Sequence, residues 1–111
     1  MSTFREDAEF GAGSNLTGHA VLDDQHSKVG TVSDVLYDDA GSPRWAVVDP
    51  GVMRKEKLVP VEGSYLTETG EMVIPYAKEQ VKHAPKTPRD HVLDSRTEQE
   101  LEDHYELASG R

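Results

Sequence analysis

The sequence predicts a mainly β protein, a small six-stranded antiparallel β-barrel followed by one short C-terminal α-helix. Three observations lead to this prediction. Short runs of β-branched and apolar residues recur at close spacing, turns rich in Gly, Pro and Asp separate them, and one helical pattern follows near the end of the chain. A length of 111 residues suits a single domain with one modest core.

The chain divides into three parts by composition. Residues 1–15 are polar and Gly-rich, and we expect a flexible N-terminal arm there. Residues 16–85 hold the strand patterns and form the predicted barrel domain. Residues 86–111 combine a Pro-containing linker with an acidic amphipathic helix.

The first two strands are predicted in "HAVLDD" and "KVGTVSDVLYDD". In the second, Val29, Val32 and Val35 fall out of phase with strict alternation, and Gly30 lies where the phase breaks. A glycine inside a strand pattern indicates a β-bulge or a sharp coil, which lets a small sheet curve. The segment "DDAGSP" then closes a hairpin, because Asp bonds turn amides and Gly41 tolerates a positive φ.

The third strand, "RWAVVD", is apolar on both faces, so both faces are expected to be covered. Trp45 lies among its valines, and a core position is favoured over a ligand-binding platform. Pro60 in the fourth strand, "KLVPV", predicts an edge or a bulge because proline donates no ladder hydrogen bond. "SYLTETGEMVIPY" predicts the last hairpin, with Thr69-Gly70 in its turn.

The C-terminal third predicts helix. "AKEQVKHAPKTP" allows at most two turns before Pro85 and Pro88. In "SRTEQELEDHYELASG", Ser95 as N-cap and Glu98 three residues later form a predicted capping box. The apolar stripe of this helix comprises Leu101, His104, Tyr105 and Ala108. A helix of about 12 residues does not persist alone in water, so it must dock or fray.

Composition excludes several classes of function. A net charge of -9 argues against nucleic-acid binding and against direct insertion into anionic lipid. The absence of cysteine removes disulfides, thiolate catalysis and Cys-type zinc sites. No window approaches a membrane span and the first residues lack a signal-peptide pattern, so we expect a cytoplasmic protein.

No pattern of catalytic or metal-binding residues emerges. The five histidines lack the spacing of a metal site, and the nearest combination is His91 with Asp90 and Asp94. Paired aspartates such as Asp23-Asp24 fall in turns, where Asp bonds backbone amides rather than acting as a catalytic pair. We therefore expect a non-enzymatic protein with no cofactor and no metal.

Charge segregation is the functional signal that remains. Residues 78–89 carry four bases and one acid, whereas residues 90–106 carry one base and seven acids. The acidic helix is expected to meet a basic surface such as "RKEK" at residues 54–57, on its own barrel or on another copy. The interface candidates are Arg54, Lys55, Lys57, Leu101, His104 and Tyr105, and docking in cis or in trans stays open.

The ordered set "KVGTVSDVLYDD", "RWAVVDPG", "KEKLVPVEG" and "GEMVIPYAKEQVKHAP" resembles the PRC-barrel family, named after the cytoplasmic domain of the photosynthetic reaction centre H subunit. The resemblance runs from about residue 16 to residue 85, and the tail is similar to that of stand-alone bacterial members. It implies a six-stranded barrel with a β-bulge after Gly30 and no catalytic residues. The positions expected to be structural are Gly30, Trp45, Pro60, Pro75, Ser95 and Glu98.

The resemblance also implies a docking role. The reaction-centre subunit packs on a membrane complex, and the ribosome-maturation factor of the family contacts a ribosomal protein. This sequence lacks the membrane helix of the first and the second domain of the other. The sequence therefore predicts an adaptor that binds a protein partner or forms a homodimer. The alternative is a peripheral regulatory or assembly subunit of a membrane or electron-transfer complex.

Overall fold

A computed structural model describes residues 16–51 and 55–107. The predicted arm over residues 1–15, Arg54 and Ala108 lie outside these ranges. The strands are β1 (Ala20–Leu22), β2 (Lys28–Tyr37), β3 (Pro43–Asp49), β4 (Lys57–Pro60), β5 (Tyr65–Leu66) and β6 (Met72–Val73). The helices are α1 (Lys78–Lys82) and α2 (Ser95–His104). All six predicted strands are present, in the predicted order.

The strands form one mixed sheet in the order β4-β3-β2-β1-β6-β5. Four strands follow one another antiparallel, but β6 lies parallel to β1, with Val21 opposite Met72. The prediction of a purely antiparallel sheet was therefore wrong, and within the described residues β4 and β5 are edges rather than partners that close a barrel. Alternation of side chains is the same in both kinds of pairing, so the sequence pattern could not distinguish them.

Two irregularities on β2 explain the broken alternation. Leu22 faces Lys28 and Val21 faces Gly30, so Val29 is an extra residue against β1. Against β3, Val32 faces Val48 and Asp34 faces Val47, so Ser33 is extra. Each extra residue shifts the phase by one position, which allows the out-of-phase valines of β2 to be buried together. The predicted bulge after Gly30 is present at Ser33.

Gly30 is required because β2 and β3 approach closely at this point. A Cβ on Gly30 would lie 2.3 Å from the carbonyl oxygen of Asp49. That oxygen belongs to the backbone, which cannot move aside as a flexible side chain does. The sequence located the position correctly, and the cause is contact between two main chains.

The core lies on both sides of β3. Trp45, Ala46, Val47 and Val48 are all at most 1% exposed, as the two-sided apolar pattern predicted. Trp45 is therefore a core residue. Pro60 pairs with Trp45 at the end of β4, an edge strand, as expected for a residue without an N–H donor. Pro75 lies just after β6, and its ring faces Gly63.

The start of α2 differs from the prediction. Asp94 is the N-cap, and its carboxylate accepts a hydrogen bond of 2.8 Å from the backbone N–H of Thr97. Ser95 is the first residue of the helix, and Glu98 makes no capping box but bonds Trp45. Hydrogen bonds from the backbone and then the side chain of Thr97 lower the pKa of Asp94. The N-cap was therefore predicted one residue too late, and the predicted capping box of Ser95 and Glu98 was wrong.

Candidate functional site

The apolar face of α2 packs on the sheet of its own chain. Leu101 is fully buried, and the Tyr105 hydroxyl donates a hydrogen bond of 2.7 Å to the carbonyl of Leu58. The ring of Tyr105 also lies against Trp45, with 6.5 Å between the centroids. Burial raises the pKa of the Tyr105 hydroxyl. The open question of cis or trans docking is thus answered in cis for the described part of the helix.

The acidic side of α2 meets Arg44. Its guanidinium lies 2.8 Å from Glu102 and 3.5 Å from Glu98, and Trp45 Nε1 donates to the same Glu98 oxygen at 3.1 Å. Arg44 also lies over the Trp45 ring, 5.3 Å from its centroid. Of the predicted basic surface at residues 54–57, Lys55 and Lys57 line a cavity beside α1, and Arg54 lies outside the described residues. Arg44 is the single base of β3 and carried no charge-cluster signal, which is why it was missed.

His104 joins the two helices rather than pointing towards solvent. Its Nε2 lies 2.7 Å from the carbonyl of Gln80, and the Gln80 side chain donates back to the carbonyl of His104 at 3.2 Å. Three of the predicted interface residues, Leu101, His104 and Tyr105, therefore serve contacts within the chain.

The linker between α1 and α2 is fastened by His91. Nδ1 lies 2.7 Å from Asp34 and Nε2 lies 3.0 Å from Glu56. The other Glu56 oxygen accepts from Ser33, the bulge residue of β2, at 2.8 Å. Hydrogen bonds to Asp34 and then Glu56 raise the pKa of His91. These contacts are long-range, so residue spacing gave no indication of them.

Asp23 fastens the start of α1 to the β1–β2 turn. One carboxylate oxygen accepts from the amides of Gln25 and Ser27, and the other accepts from the amide of Lys78 at 3.2 Å. Burial alone would raise the pKa of Asp23, but these amide donors outweigh burial and lower it. The expectation that this aspartate bonds turn amides is confirmed.

A basic cavity lies between the β-sheet and α1, with a volume of about 290 Å³. We call it the basic cleft. Its lining residues are Val29, Pro50, Lys55, Lys57, Lys78, Val81, Lys82 and His83. The apolar side chains form its floor, and both Lys55 and Lys57 were predicted interface residues. Lys78 and Lys82 belong to the basic segment that the charge pattern identified.

Two of the lysines have contacts that hold them at the rim of the basic cleft. Lys57 Nζ donates to the carbonyl of Ala84 at 3.0 Å, which ties β4 to the end of α1. Lys82 lies 3.6 Å from Glu79, one turn earlier on α1. Both bonds are local to the rim, so the ammonium groups stay beside the apolar floor.

A second cavity, of about 480 Å³, adjoins the basic cleft through Lys55. We call it the linker groove. It is lined by Lys55, Glu56, Lys86, Thr87, Pro88 and Arg89. Among the described residues that line the two cavities, Glu56 is the one carboxylate, and His91 and Ser33 bond it. The other charged side chains of the two linings are lysines and Arg89, so the two adjoining cavities are predominantly basic.

A third cavity, of about 520 Å³, has an acidic and aromatic lining. Tyr37, Val92 and Glu98 border it, and Tyr37 and Val92 are 51% and 65% exposed. The carboxylates of its lining are Asp38, Asp39 and Glu98, whereas four lysines line the basic cleft.

The described residues were also compared with the chemistry of metal sites and membrane spans. In residues 16–51 and 55–107, no group of three or more His, Asp and Glu side chains is arranged to hold a metal ion. Neither helix of the described chain has the length and apolar character needed to cross a bilayer. The ionisable clusters here, around His91, Asp23 and His104, are engaged in fastening one element to another.

These features define a mainly β domain with a helix folded back on its sheet and a basic surface beside it. A profile of the PRC-barrel domain matches residues 9–81. The match covers more than half of the chain, so this protein belongs to the PRC-barrel domain family, as the sequence resemblance predicted. Comparison with curated proteins gives no match.

Proposed function

We propose that this protein is a non-enzymatic adaptor whose basic cleft and linker groove bind an acidic segment of a protein partner. The observation that carries the proposal is the concentration of positive charge around an apolar floor. Four lysines line the basic cleft and two further cations line the linker groove, so six of the 12 Lys and Arg residues surround two adjoining cavities. The chain as a whole carries a net charge of -9.

Nucleic acid is the other large anion that a lysine cluster attracts. It would also meet the acidic surface of α2 and of the cavity beside Tyr37, where carboxylates repel phosphates. A short acidic peptide segment avoids this repulsion because it covers the cavities alone. The partner class that fits best is therefore protein.

The affinity of such a site comes from two sources. Exposed lysines contribute at most about 1 kcal/mol each and mainly accelerate and orient the encounter. The apolar floor of Val29, Pro50 and Val81 supplies the burial that holds an apolar side chain. We therefore expect a partner segment in which carboxylates flank an apolar or aromatic residue.

The non-enzymatic part of the proposal is supported by the use of the ionisable residues. Asp23 accepts backbone amides, His91 bridges two carboxylates and His104 bonds a carbonyl. Each of these groups has a structural contact that holds two elements together. Leu101, His104 and Tyr105 of the apolar stripe are likewise engaged within the chain, and the basic surface is the docking candidate.

The test is photo-crosslinking in the native cell. A photoreactive benzoylphenylalanine replaces His83 at the rim of the basic cleft, and a control chain carries it at the exposed Tyr65. We expect a cross-linked partner from position 83 alone. The charge reversal Lys78→Glu with Lys82→Glu should abolish it, whereas Lys28→Glu with Arg96→Glu changes the net charge equally and should not.

Some outcomes would contradict the proposal, and one would favour the alternative function. Equal capture from positions 65 and 83, or capture that survives the reversal at Lys78 and Lys82, contradicts the basic cleft as the docking site. A partner that sediments with membranes at high salt would instead favour the alternative, a peripheral subunit of a membrane or electron-transfer complex.

A further inference from the structure

The basic cleft has a complementary segment in the same chain. Residues 4–10, "FREDAEF", contain both phenylalanines of the protein, and between them lie three acids and one base. This is the pattern that the basic cleft requires, carboxylates for the lysines and an aromatic ring for the apolar floor. Residues 4–10 lie outside the described part of the chain.

The chain between this segment and the first described residues is long enough to reach the basic cleft. The amide of Gly18 donates to the carbonyl of Val32 at 2.8 Å, and Val29 of the cleft floor lies three residues earlier on β2. Three strand residues span about 10 Å. Leu16 is buried at the start of the same turn as Gly18, where its carbonyl accepts from the amide of His19 at 3.1 Å. The six residues from Phe10 to Leu16 reach up to about 20 Å when extended, which covers the distance.

The size of the basic cleft also fits. A volume of about 290 Å³ takes one or two large side chains and not a folded domain surface. One phenylalanine packed on Val29 and Val81 would bring the neighbouring carboxylates to a cavity that Lys78 and Lys82 also line. A tether of this length gives the segment an effective concentration in the millimolar range, so even weak intrinsic binding fills the site.

We propose that residues 4–10 occupy the basic cleft of their own chain, so that an acidic partner binds only by displacing them. This inference rests on the proposed function for the identity of the site, and it adds an autoinhibitory occupant. Binding of a partner would then depend on competition between two acidic segments for one set of lysines.

The experiment is zero-length carbodiimide cross-linking of the full chain, which joins carboxylates to lysines in ion-pair contact. Normal and ¹⁵N-labelled copies are mixed, so that bonds within a chain differ in mass from bonds between chains. We expect amide bonds within a chain from Glu6, Asp7 or Glu9 to Lys78 or Lys82. The full-chain variant Phe4→Ala with Phe10→Ala should lower their yield at least about fivefold, and Phe4→Leu with Phe10→Leu should retain most of it.

Three results would overturn the inference. They are the absence of these bonds, a yield unchanged by Phe4→Ala with Phe10→Ala, and a predominance of bonds between heavy and light copies, which assigns the basic cleft to a second copy. The proposed function fails separately. If the cross-links within the chain form but position 83 captures no partner, the inference is supported and the adaptor function is contradicted. If position 83 captures a partner but these cross-links do not form, the adaptor function is supported and the inference is contradicted.

Discussion

His91 Nδ1 lies 2.7 Å from Oδ2 of Asp34, and this contact fastens the linker to the bulge of β2. Asp34 follows the extra residue Ser33, and its other oxygen accepts from the amide of Val35 at 2.8 Å. The second ring nitrogen of His91 faces Glu56. Both nitrogens thus point at acceptors, so the ring satisfies both contacts only when it is doubly protonated.

The stability of the protein should therefore depend on the protonation of His91. The pKa is raised above its ordinary value of 6.5, by hydrogen bonds to Asp34 first and Glu56 second. A raised pKa in the folded state contributes stability that is complete below pH 6.5 and is lost as the pH rises through the folded value. We expect His91→Gln to destabilise the protein more at pH 5.5 than at pH 8.5.

Urea unfolding across this pH range measures the effect, with His83→Gln as the control because His83 is exposed. The control should show the pH dependence of the unsubstituted protein. If the two variants lose stability in parallel at every pH, the His91 bridge does not contribute to folding.

Gly30→Ala should be severely destabilising because a Cβ at this position would lie 2.3 Å from the backbone oxygen of Asp49. β2 and β3 must separate locally, and overpacking of this kind costs at least about 2 kcal/mol. Gly41→Ala is the matched control. Gly41 has a φ of +83° and open space around it, so its substitution costs only about 1 kcal/mol of backbone strain. Equal losses in the two variants, measured by urea unfolding, would argue against a tight β2–β3 contact.

The sequence predicted the local features of the fold and missed those that depend on contacts between distant segments. The phase break at Gly30 and the apolar faces of β3 are local patterns, and the structure confirms both. The parallel pairing of β6 and the use of Arg44 by α2 depend on which distant segments meet. The His91 bridge spans 57 residues in sequence to Asp34, and nothing in local spacing encodes it.

The basic cleft could be predicted only in part from the sequence. The excess of lysine after residue 78 was visible in the sequence, and so was the basic segment that contains Lys55 and Lys57. Their convergence on one cavity follows from the packing of α1 beside β4, which the hydrogen bond from Lys57 to Ala84 stabilises. The charge pattern predicted a basic surface, and tertiary packing adds the apolar residues Val29, Pro50 and Val81 to its lining.

The N-terminus of α2 offers a direct test of the corrected cap. Asp94→Ala removes the acceptor for the Thr97 amide and should lower the stability of the protein. Ser95→Ala should be nearly neutral, within about 0.5 kcal/mol, because Ser95 is an exposed residue of the first turn. Far-UV circular dichroism during urea unfolding measures both. A larger loss for Ser95→Ala than for Asp94→Ala would restore the capping box that the sequence suggested.

The contribution of Tyr105 to the docking of α2 in cis can be measured as a change in the free energy of unfolding. Tyr105→Phe removes the hydroxyl that satisfies the buried carbonyl of Leu58, so we expect a loss of about 1–3 kcal/mol. Tyr65→Phe, at a 45% exposed position, should change stability by less than about 0.5 kcal/mol.

A chain that ends at Pro88 removes α2 together with the His91 bridge, which uncovers Trp45, now 1% exposed. Its fluorescence should shift to longer wavelength because the indole then meets water, and the midpoint of urea unfolding should fall. Light scattering on the full-length and the truncated protein shows whether the number of copies in the particle changes as well. If the emission, the unfolding midpoint and the mass all stay constant after truncation, α2 does not pack on Trp45 and the helix is free to bind elsewhere.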